Sequence, residues 1–202
     1  MKMSRVKRFA PAILAVLGGA LAIALAARTA SAEDADPWAK GAHWISFRGG
    51  YVKSLSQNAA NGNVGYAMSY GRMVSKRLMF GASVDHDLLG KFGPASQIEI
   101  PWSAELIWHL RWKTPVRPFF GFGFGAYFTK TYRTGDDHAG FQPGGYFAFG
   151  ANTPIDHNSL LGLHVKLASV SSDATSPNPV FGRAEPSAGR VAAKLAWTRV
   201  IW

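Results

Sequence analysis

The chain has 202 residues, no cysteine and a formal net charge of +10 at neutral pH. The lack of cysteine excludes a disulfide framework and a lipid anchor on an N-terminal cysteine. Five of the 22 basic residues and none of the 12 acidic residues lie in the first 32 positions, so the formal charge of the remainder falls to +5. These remaining basic residues do not form the cluster that a nucleic-acid-binding face requires, and no nucleic-acid partner is expected.

The first 32 residues have the pattern of an export signal. Four basic residues in positions 2–8 precede an apolar run over 10–27, and Ala30-Ser31-Ala32 supplies the small residues of a cleavage site. We predict a signal peptide at 1–32 and a short polar periplasmic lead-in at 33–41, with an uncleaved single-span anchor as the alternative for the first segment. The remaining residues, 42–202, are predicted to form one domain.

Alternation of apolar with polar or small residues recurs through this domain, and strands place successive side chains on opposite faces. Each stretch is long enough to cross a bilayer as a tilted strand, which needs about 9–11 residues. We therefore predict eight strands, near residues 42–53, 63–74, 78–92, 98–112, 117–133, 143–154, 159–172 and 188–202.

The predicted connections alternate between short and long. Short connections are expected at 75–77, 113–116 and 155–158. Longer ones, richer in Gly, Pro, Asn and Asp, are expected at 54–62, 93–97, 134–142 and 173–187. Short turns of transmembrane barrels face the periplasm and long loops face outward, so both chain ends are predicted to be periplasmic.

The fifth predicted strand has the clearest division between its faces. Phenylalanines at 120, 122, 124 and 128 are predicted to face lipid, and glycines at 121, 123 and 125 to face the lumen. On the fourth strand, Trp102 and Trp112 are candidates for two aromatic girdles at the membrane interfaces. The last strand gives no face assignment, because Lys194 and Thr198 interrupt its apolar positions.

Charged residues on the inward faces predict a polar lumen. Two cations and two carboxylates are expected at similar depth, namely Arg48, Asp85, Glu105 and Lys166. Buried charges need partners, and an eight-stranded lumen is narrow enough to be filled by side chains, so an ion-paired plug is predicted. A gate or narrow ion path is the alternative. Further members of this hypothetical lumen network are Glu99, His109, Arg111 and His164.

Two other functional classes are alternatives to an outer-membrane barrel without catalytic activity. A soluble lipocalin-like barrel would bind a ligand in an apolar cavity, but here it would place charged residues inside or phenylalanines in water. A lipid-modifying enzyme would need a nucleophile beside a histidine and a carboxylate. The serines that precede Asp173, at 169, 171 and 172, have no histidine at the same height, so no catalytic residue is predicted.

Neither a metal nor a cofactor is predicted. Asp85-His86-Asp87 resembles a ligand cluster in sequence, but strand geometry points His86 away from both aspartates.

The signal ending at 30–32, the eight-strand rhythm over 42–202 and the terminal aromatic Trp202 resemble the small outer-membrane β-barrel superfamily, which includes the OmpA transmembrane domain and the OmpX-like and OmpW-like proteins. The resemblance implies an all-β fold, an eight-stranded antiparallel up-and-down transmembrane barrel. It also implies export through the periplasm to the outer membrane and contact with outer-membrane lipids and lipopolysaccharide. Trp202 would then be part of the signal read by the barrel-assembly machinery. We expect a non-enzymatic monomer with a structural, adhesive or narrow-pore role.

Overall fold

A computed structural model of the chain describes residues 36–55, 60–111, 114–132, 138–171 and 187–202. The predicted signal peptide, the first residues of the lead-in and Trp112 lie outside these ranges.

The described residues form eight antiparallel strands, as the alternation predicted. Each strand pairs with its neighbours in sequence, and β1 pairs with β8, so the sheet closes into an up-and-down barrel. The described residues contain no helix that is long and apolar enough to cross a bilayer. The strands are β1 (His43–Ser54), β2 (Asn63–Met73), β3 (Leu78–Phe92), β4 (Ala95–His109), β5 (Arg117–Tyr132), β6 (His138–Asp156), β7 (Ser159–Ser171) and β8 (Ser187–Ile201).

The strands are staggered around the ring. Following paired residues once around the barrel from Trp44 returns to Ser54, ten residues further along β1. A closed sheet with such a stagger must have tilted strands, and eight strands leave an interior that side chains can fill.

Two strands differ from their predicted boundaries by more than one residue. The predicted loop at 93–97 is a two-residue turn, because Phe92 pairs with Ala95 across Gly93 and Pro94. Gly93 has a φ of 55°, a left-handed conformation that glycine adopts without a steric penalty. β4 therefore begins three residues earlier than expected, and β6 extends beyond its predicted range at both ends.

The two ends of the barrel have different connections. The terminal end, as we call it, carries the start of β1, the end of β8 and the connections at 74–77, 110–116 and 157–158. The opposite loop end carries the connections at 55–62, 93–94, 133–137 and 172–186.

Large apolar side chains face outward, and most charged side chains midway along the strands face inward. On β5, Phe122 and Phe124 are 63% and 68% exposed, whereas Tyr127, on the inward face, is 3% exposed. This arrangement is the reverse of a soluble ligand-binding barrel, whose apolar residues line its cavity.

The structure assigns the two faces of β8. Lys194 and Thr198 point into the lumen and are buried, while Leu195 and Trp197 face outward. The polar residues that interrupt the sequence pattern therefore belong to the interior. Trp102 also faces outward, but it lies midway along β4, seven residues from each end, rather than near a rim where a girdle residue belongs.

Candidate functional site

Among the residues that the structure describes, eight buried charged residues lie in the middle of the lumen, and we call them the charge network. Four are cations and four are carboxylates, so their formal charges balance. They are Arg48, Asp85, Asp87, Glu99, Glu105, Lys166, Arg190 and Lys194.

One group within the network links β1 to β4. The Arg48 Nη2 atom donates to Glu105 Oε1 at 3.0 Å and to Ser69 Oγ at 2.8 Å. The second carboxylate oxygen of Glu105 accepts a hydrogen bond of 2.8 Å from the Tyr146 hydroxyl. Glu105 therefore has a partner on each oxygen, as a buried carboxylate requires.

A second group joins β3 to β7 and β8. The Lys194 ammonium lies 2.7 Å from Asp85 Oδ1 and 2.6 Å from Asp87 Oδ1. Lys166 donates to the other oxygen of Asp85 at 3.0 Å and to Ser83 Oγ at 3.1 Å. Asp85 thus binds two ammonium groups, and Lys194 also binds Asp87.

The third group lies toward the loop end. Arg190 Nη2 donates to Glu99 Oε2 at 3.3 Å, and Thr129 Oγ1 donates to the same oxygen at 3.2 Å. The Nη1 atom of Arg190 donates to Ser54 Oγ at 2.8 Å. Strands β1, β4, β5 and β8 therefore meet in this group.

Hydroxyl groups connect the first group to the second. Ser83 Oγ lies 3.0 Å from Ser103 Oγ, which lies 3.3 Å from the Tyr146 hydroxyl. The Lys166 ammonium also lies 4.5 Å from the centre of the Tyr146 ring, at cation–π distance. Space for this ring comes from Gly123, where a Cβ atom would lie 2.2 Å from Tyr146 Cζ. An inward glycine of β5 thus makes room for the tyrosine that joins the two groups.

An apolar layer closes the terminal end of the lumen. Trp38 packs edge-on against Trp44 with ring centroids 5.9 Å apart, and Trp44 Nε1 donates to the Pro37 carbonyl at 2.8 Å. The segment predicted as a polar lead-in therefore places a tryptophan inside the barrel. The buried members of this apolar layer include Trp38, Ala42, Trp44, Met73, Met79, Ile107, Phe119, Leu160 and Val200.

A smaller apolar cluster lies on the loop side of the network and contains Val52, Ala60, Leu89 and Ala192. Two cavities border the network, one on each side, and each has a volume of about 20 Å³. That volume accommodates about one water molecule. Along the described lumen the charges are therefore held between apolar layers with little free space.

Five of the eight predicted lumen residues lie in the charge network: Arg48, Asp85, Glu99, Glu105 and Lys166. The two histidines are buried outside it. His109 lies in the apolar layer beside Trp44, and His164 lies 5.2 Å from the Phe119 ring. Arg111 is not inside the lumen, because it follows the end of β4 and is exposed at the terminal end.

Three members of the network were not predicted from the sequence. Asp87 lies two residues from Asp85, so the strand period already placed it on the same face. Arg190 and Lys194 lie on β8, whose faces the sequence pattern did not assign. His86 faces outward and stacks on Tyr66 with ring centroids 4.9 Å apart, as strand geometry predicted.

No candidate catalytic or metal centre is found in the described part of the chain. Ser169 and Ser171 lie near the loop end of β7, whereas His164 of the same strand lies nearer the terminal end and points into the lumen. Ser172 and Asp173 lie outside the described residues. The described residues include no group of three or more His, Asp or Glu side chains that could hold a metal ion.

No protein-family model matches the sequence, and no curated protein sequence matches it. Several solved structures are nevertheless similar in fold. Neisserial surface protein A superposes with a TM-score of 0.66 at 13% identity over 79% of this chain and 99% of that chain. The N-terminal β-barrel domain of Pseudomonas aeruginosa OprF gives 0.55 at 11% identity over 80% and 98%. Ail, the attachment invasion locus protein of Yersinia pestis, gives 0.52 at 11% identity over 80% and 99%. The chain therefore has the fold of the small eight-stranded outer-membrane β-barrels.

Proposed function

We propose that this chain is an integral outer-membrane protein whose barrel is a closed, non-conducting anchor that holds its loop end at the cell surface. The observation that carries this proposal is the charge network, which crosses the lumen between two apolar layers. The structural similarities, which concern the fold alone, are consistent with this location.

The outer surface supports the membrane placement. The strands have 11 to 19 residues, which is sufficient for a tilted strand that needs about 9–11 residues to cross a bilayer. Phe122, Phe124 and Trp102 are each more than 60% exposed on the outer surface, an arrangement that suits lipid tails and is unfavourable in water. Outer-membrane lipids and lipopolysaccharide would then contact this surface.

The orientation follows from the connections. The two longest connections, at 55–62 and 172–186, lie at the loop end, and long loops of bacterial barrels face outward, so the terminal end would face the periplasm. Trp202 is 54% exposed at that end, where it is available to the barrel-assembly machinery. Its indole nitrogen donates to Asn158 Oδ1 at 3.1 Å.

The free-energy cost of opening the lumen favours a closed barrel over a narrow pore. Separating Arg48 from Glu105, or Lys194 from its two aspartates, would leave charges unpaired in a poorly hydrated interior. Breaking a buried pair in this way costs about 3–5 kcal/mol. An open path would also require displacement of Trp38 and Trp44 from the terminal end.

We propose no catalytic role. Hydrolytic chemistry on lipid needs a nucleophile within hydrogen-bond reach of a histidine. The outward serines of β7 and the inward His164 are on opposite faces of the same strand, which supports a non-enzymatic function.

Conductance of the refolded protein tests the proposal. Residues 33–202 are refolded into phosphatidylcholine vesicles, insertion is checked by heat-modifiable gel mobility, and the vesicles are fused with a planar bilayer. We expect no discrete channel events from correctly folded protein. Reproducible unitary conductance would overturn the closed-anchor function and support the narrow pore.

A variant identifies which layer closes the lumen. Replacing Trp38 and Trp44 by alanine removes much of the apolar layer and leaves the charge network intact. If the charge network alone closes the lumen, the folded double-alanine variant still conducts no ions. Membrane fractionation of cells that express the full chain tests the location separately, and recovery in the inner-membrane or soluble fraction would contradict it.

A further inference from the structure

The terminal end of the barrel contains a cavity much larger than those beside the charge network. Its volume is about 180 Å³, compared with about 20 Å³ for each lumen cavity. It is lined by Asp36, Lys76, Arg77, His109, Arg111 and Arg117.

Among the described residues, the walls of this cavity carry four cations and a single carboxylate. That carboxylate, Asp36, already accepts hydrogen bonds from Arg117 at 3.4 Å and from the Trp38 backbone at 3.1 Å. The side chains of Lys76, Arg77 and Arg111 form no ion pair with any residue that the structure describes. The cavity therefore has an excess of positive charge, unlike the balanced charge network.

One cation is held in place by its neighbours. The Arg117 guanidinium lies 4.0 Å from the centre of the Trp38 ring and also contacts Asp36. It is thus oriented at the cavity before any ligand arrives, which lowers the conformational cost of binding.

A buried histidine lies at the floor. His109 is 1% exposed and lines the cavity, and neither ring nitrogen has a hydrogen-bond partner among the described residues. Buried polar groups are nearly always hydrogen-bonded, so an unpartnered imidazole that borders both this cavity and a small lumen cavity indicates a missing acceptor or donor. An anion would accept from its N–H group.

We propose that this cavity binds a phosphate group. Guanidinium groups present several N–H donors in a planar fork that matches phosphate oxygens, and lysine adds a point charge. The cavity is large enough for a phosphate with part of its ester. The phosphate group belongs either to a phospholipid head group of the adjacent leaflet or to a free phosphate compound. Only the lipid source rests on the membrane placement proposed above.

A matched pair of double variants tests the proposal in detergent. K76Q/R111Q removes one lysine and one arginine from the cavity wall. K40Q/R72Q removes the same two residue types from exposed positions at the same end of the barrel that do not line the cavity. Inorganic phosphate and pyrophosphate are titrated by calorimetry into protein refolded in a zwitterionic, phosphate-free detergent.

We expect saturable binding that K76Q/R111Q weakens about tenfold or more, because charged hydrogen bonds to the anion are lost. K40Q/R72Q should change the affinity less than about twofold, since it alters only the long-range field. Equal weakening of phosphate binding in both variants would show that diffuse charge attraction holds the anion. That result would overturn the proposal of a specific site.

The second arm measures lipid retention. Protein is reconstituted into phosphatidylcholine vesicles that contain phosphatidylglycerol, extracted gently, and examined for bound phosphatidylglycerol by native mass spectrometry. Retention that is lost only in K76Q/R111Q assigns the site to a lipid head group, whereas binding in the calorimetric arm alone assigns it to a free phosphate. Absence of cavity-dependent binding in both arms would overturn the proposal. Neither readout depends on conductance, so this result and that of the closed-anchor function are distinguishable.

Discussion

The barrel interior is filled in two different ways at two heights. At the terminal end, Trp38 packs edge-on against Trp44, and the Phe119 ring lies in tilted contact with His109 in the same apolar layer. In the middle, Lys194, Asp85 and their neighbours fill the same cross-section with paired charges. The wall around both regions is one continuous sheet.

The two regions should respond differently to substitution. Apolar contact is not directional, so a layer of rings tolerates changes that conserve volume. A buried charge instead requires a partner of opposite sign, and removing one member leaves the others uncompensated. The charge network should therefore be sensitive to the identity of single residues, and the apolar layer mainly to their size.

Replacing Lys194 by methionine is expected to have the largest effect. Methionine conserves much of the volume but leaves Asp87 without its ammonium partner and Asp85 with Lys166 alone. We expect the free energy of unfolding to fall by about 3–5 kcal/mol. Urea unfolding in phosphatidylcholine vesicles, followed by tryptophan fluorescence, measures this loss.

The control for this substitution is Lys91→Met, at an exposed position near the loop end of β3. Surface substitutions usually change stability by less than about 0.5 kcal/mol. Equal losses in both methionine variants would contradict a specific role for the buried ammonium.

Trp38→Ala should destabilise the barrel by about 3 kcal/mol, because it empties the centre of the apolar layer. Trp38→Phe keeps most of the apolar volume and should cost less than about 1.5 kcal/mol. The same unfolding assay measures both variants. A phenylalanine variant as unstable as the alanine variant would show that the indole contributes through something other than its volume.

How far the sequence predicts this structure depends on how clearly the two-residue period of each strand separates apolar from polar or small side chains. In β5, phenylalanines alternate with glycines, so the outward and lumen faces were predicted correctly. In β8, Lys194 and Thr198 share a face with Ala196 and Val200, and Trp197 and Leu195 share a face with Arg199. Both faces mix polar and apolar residues, and only pairing with β1 and β7 distinguishes them.

Contacts between distant strands were less accessible from the sequence. Arg48 and Glu105 are 57 residues apart in the sequence. The depths of two residues along their predicted strands indicate only approximately whether their side chains meet. Trp38 illustrates a different limit. Its neighbours Asp36, Pro37 and Lys40 predict an exposed polar lead-in, because no periodic pattern reports that a segment outside the sheet folds back into the lumen.

A double replacement separates the need for charge from the need for a partner. Arg48→Met and Glu105→Met should each cost about 3–5 kcal/mol alone, since each leaves an unpaired buried charge. The combined variant should lie within about 1 kcal/mol of the wild type, because both charges are removed and the volume is largely kept. A double-mutant cycle on unfolding free energies measures the coupling. Additive losses would contradict the pairing.

Arg117→Gln should have the smallest effect, because Arg117 lies where the apolar layer meets solvent. Its guanidinium stacks on Trp38 at 4.0 Å and contacts Asp36, but its side chain is 22% exposed. A partly exposed cation–π contact contributes about 0.5–1 kcal/mol, and a solvent-exposed ion pair adds little. Arg117→Lys retains the charge and should lose less, whereas raising the salt concentration should weaken only the Asp36 contact. If Arg117→Gln instead destabilises the barrel as much as Lys194→Met, the terminal end depends on charge pairing as strongly as the lumen centre, and the contrast between the two regions fails.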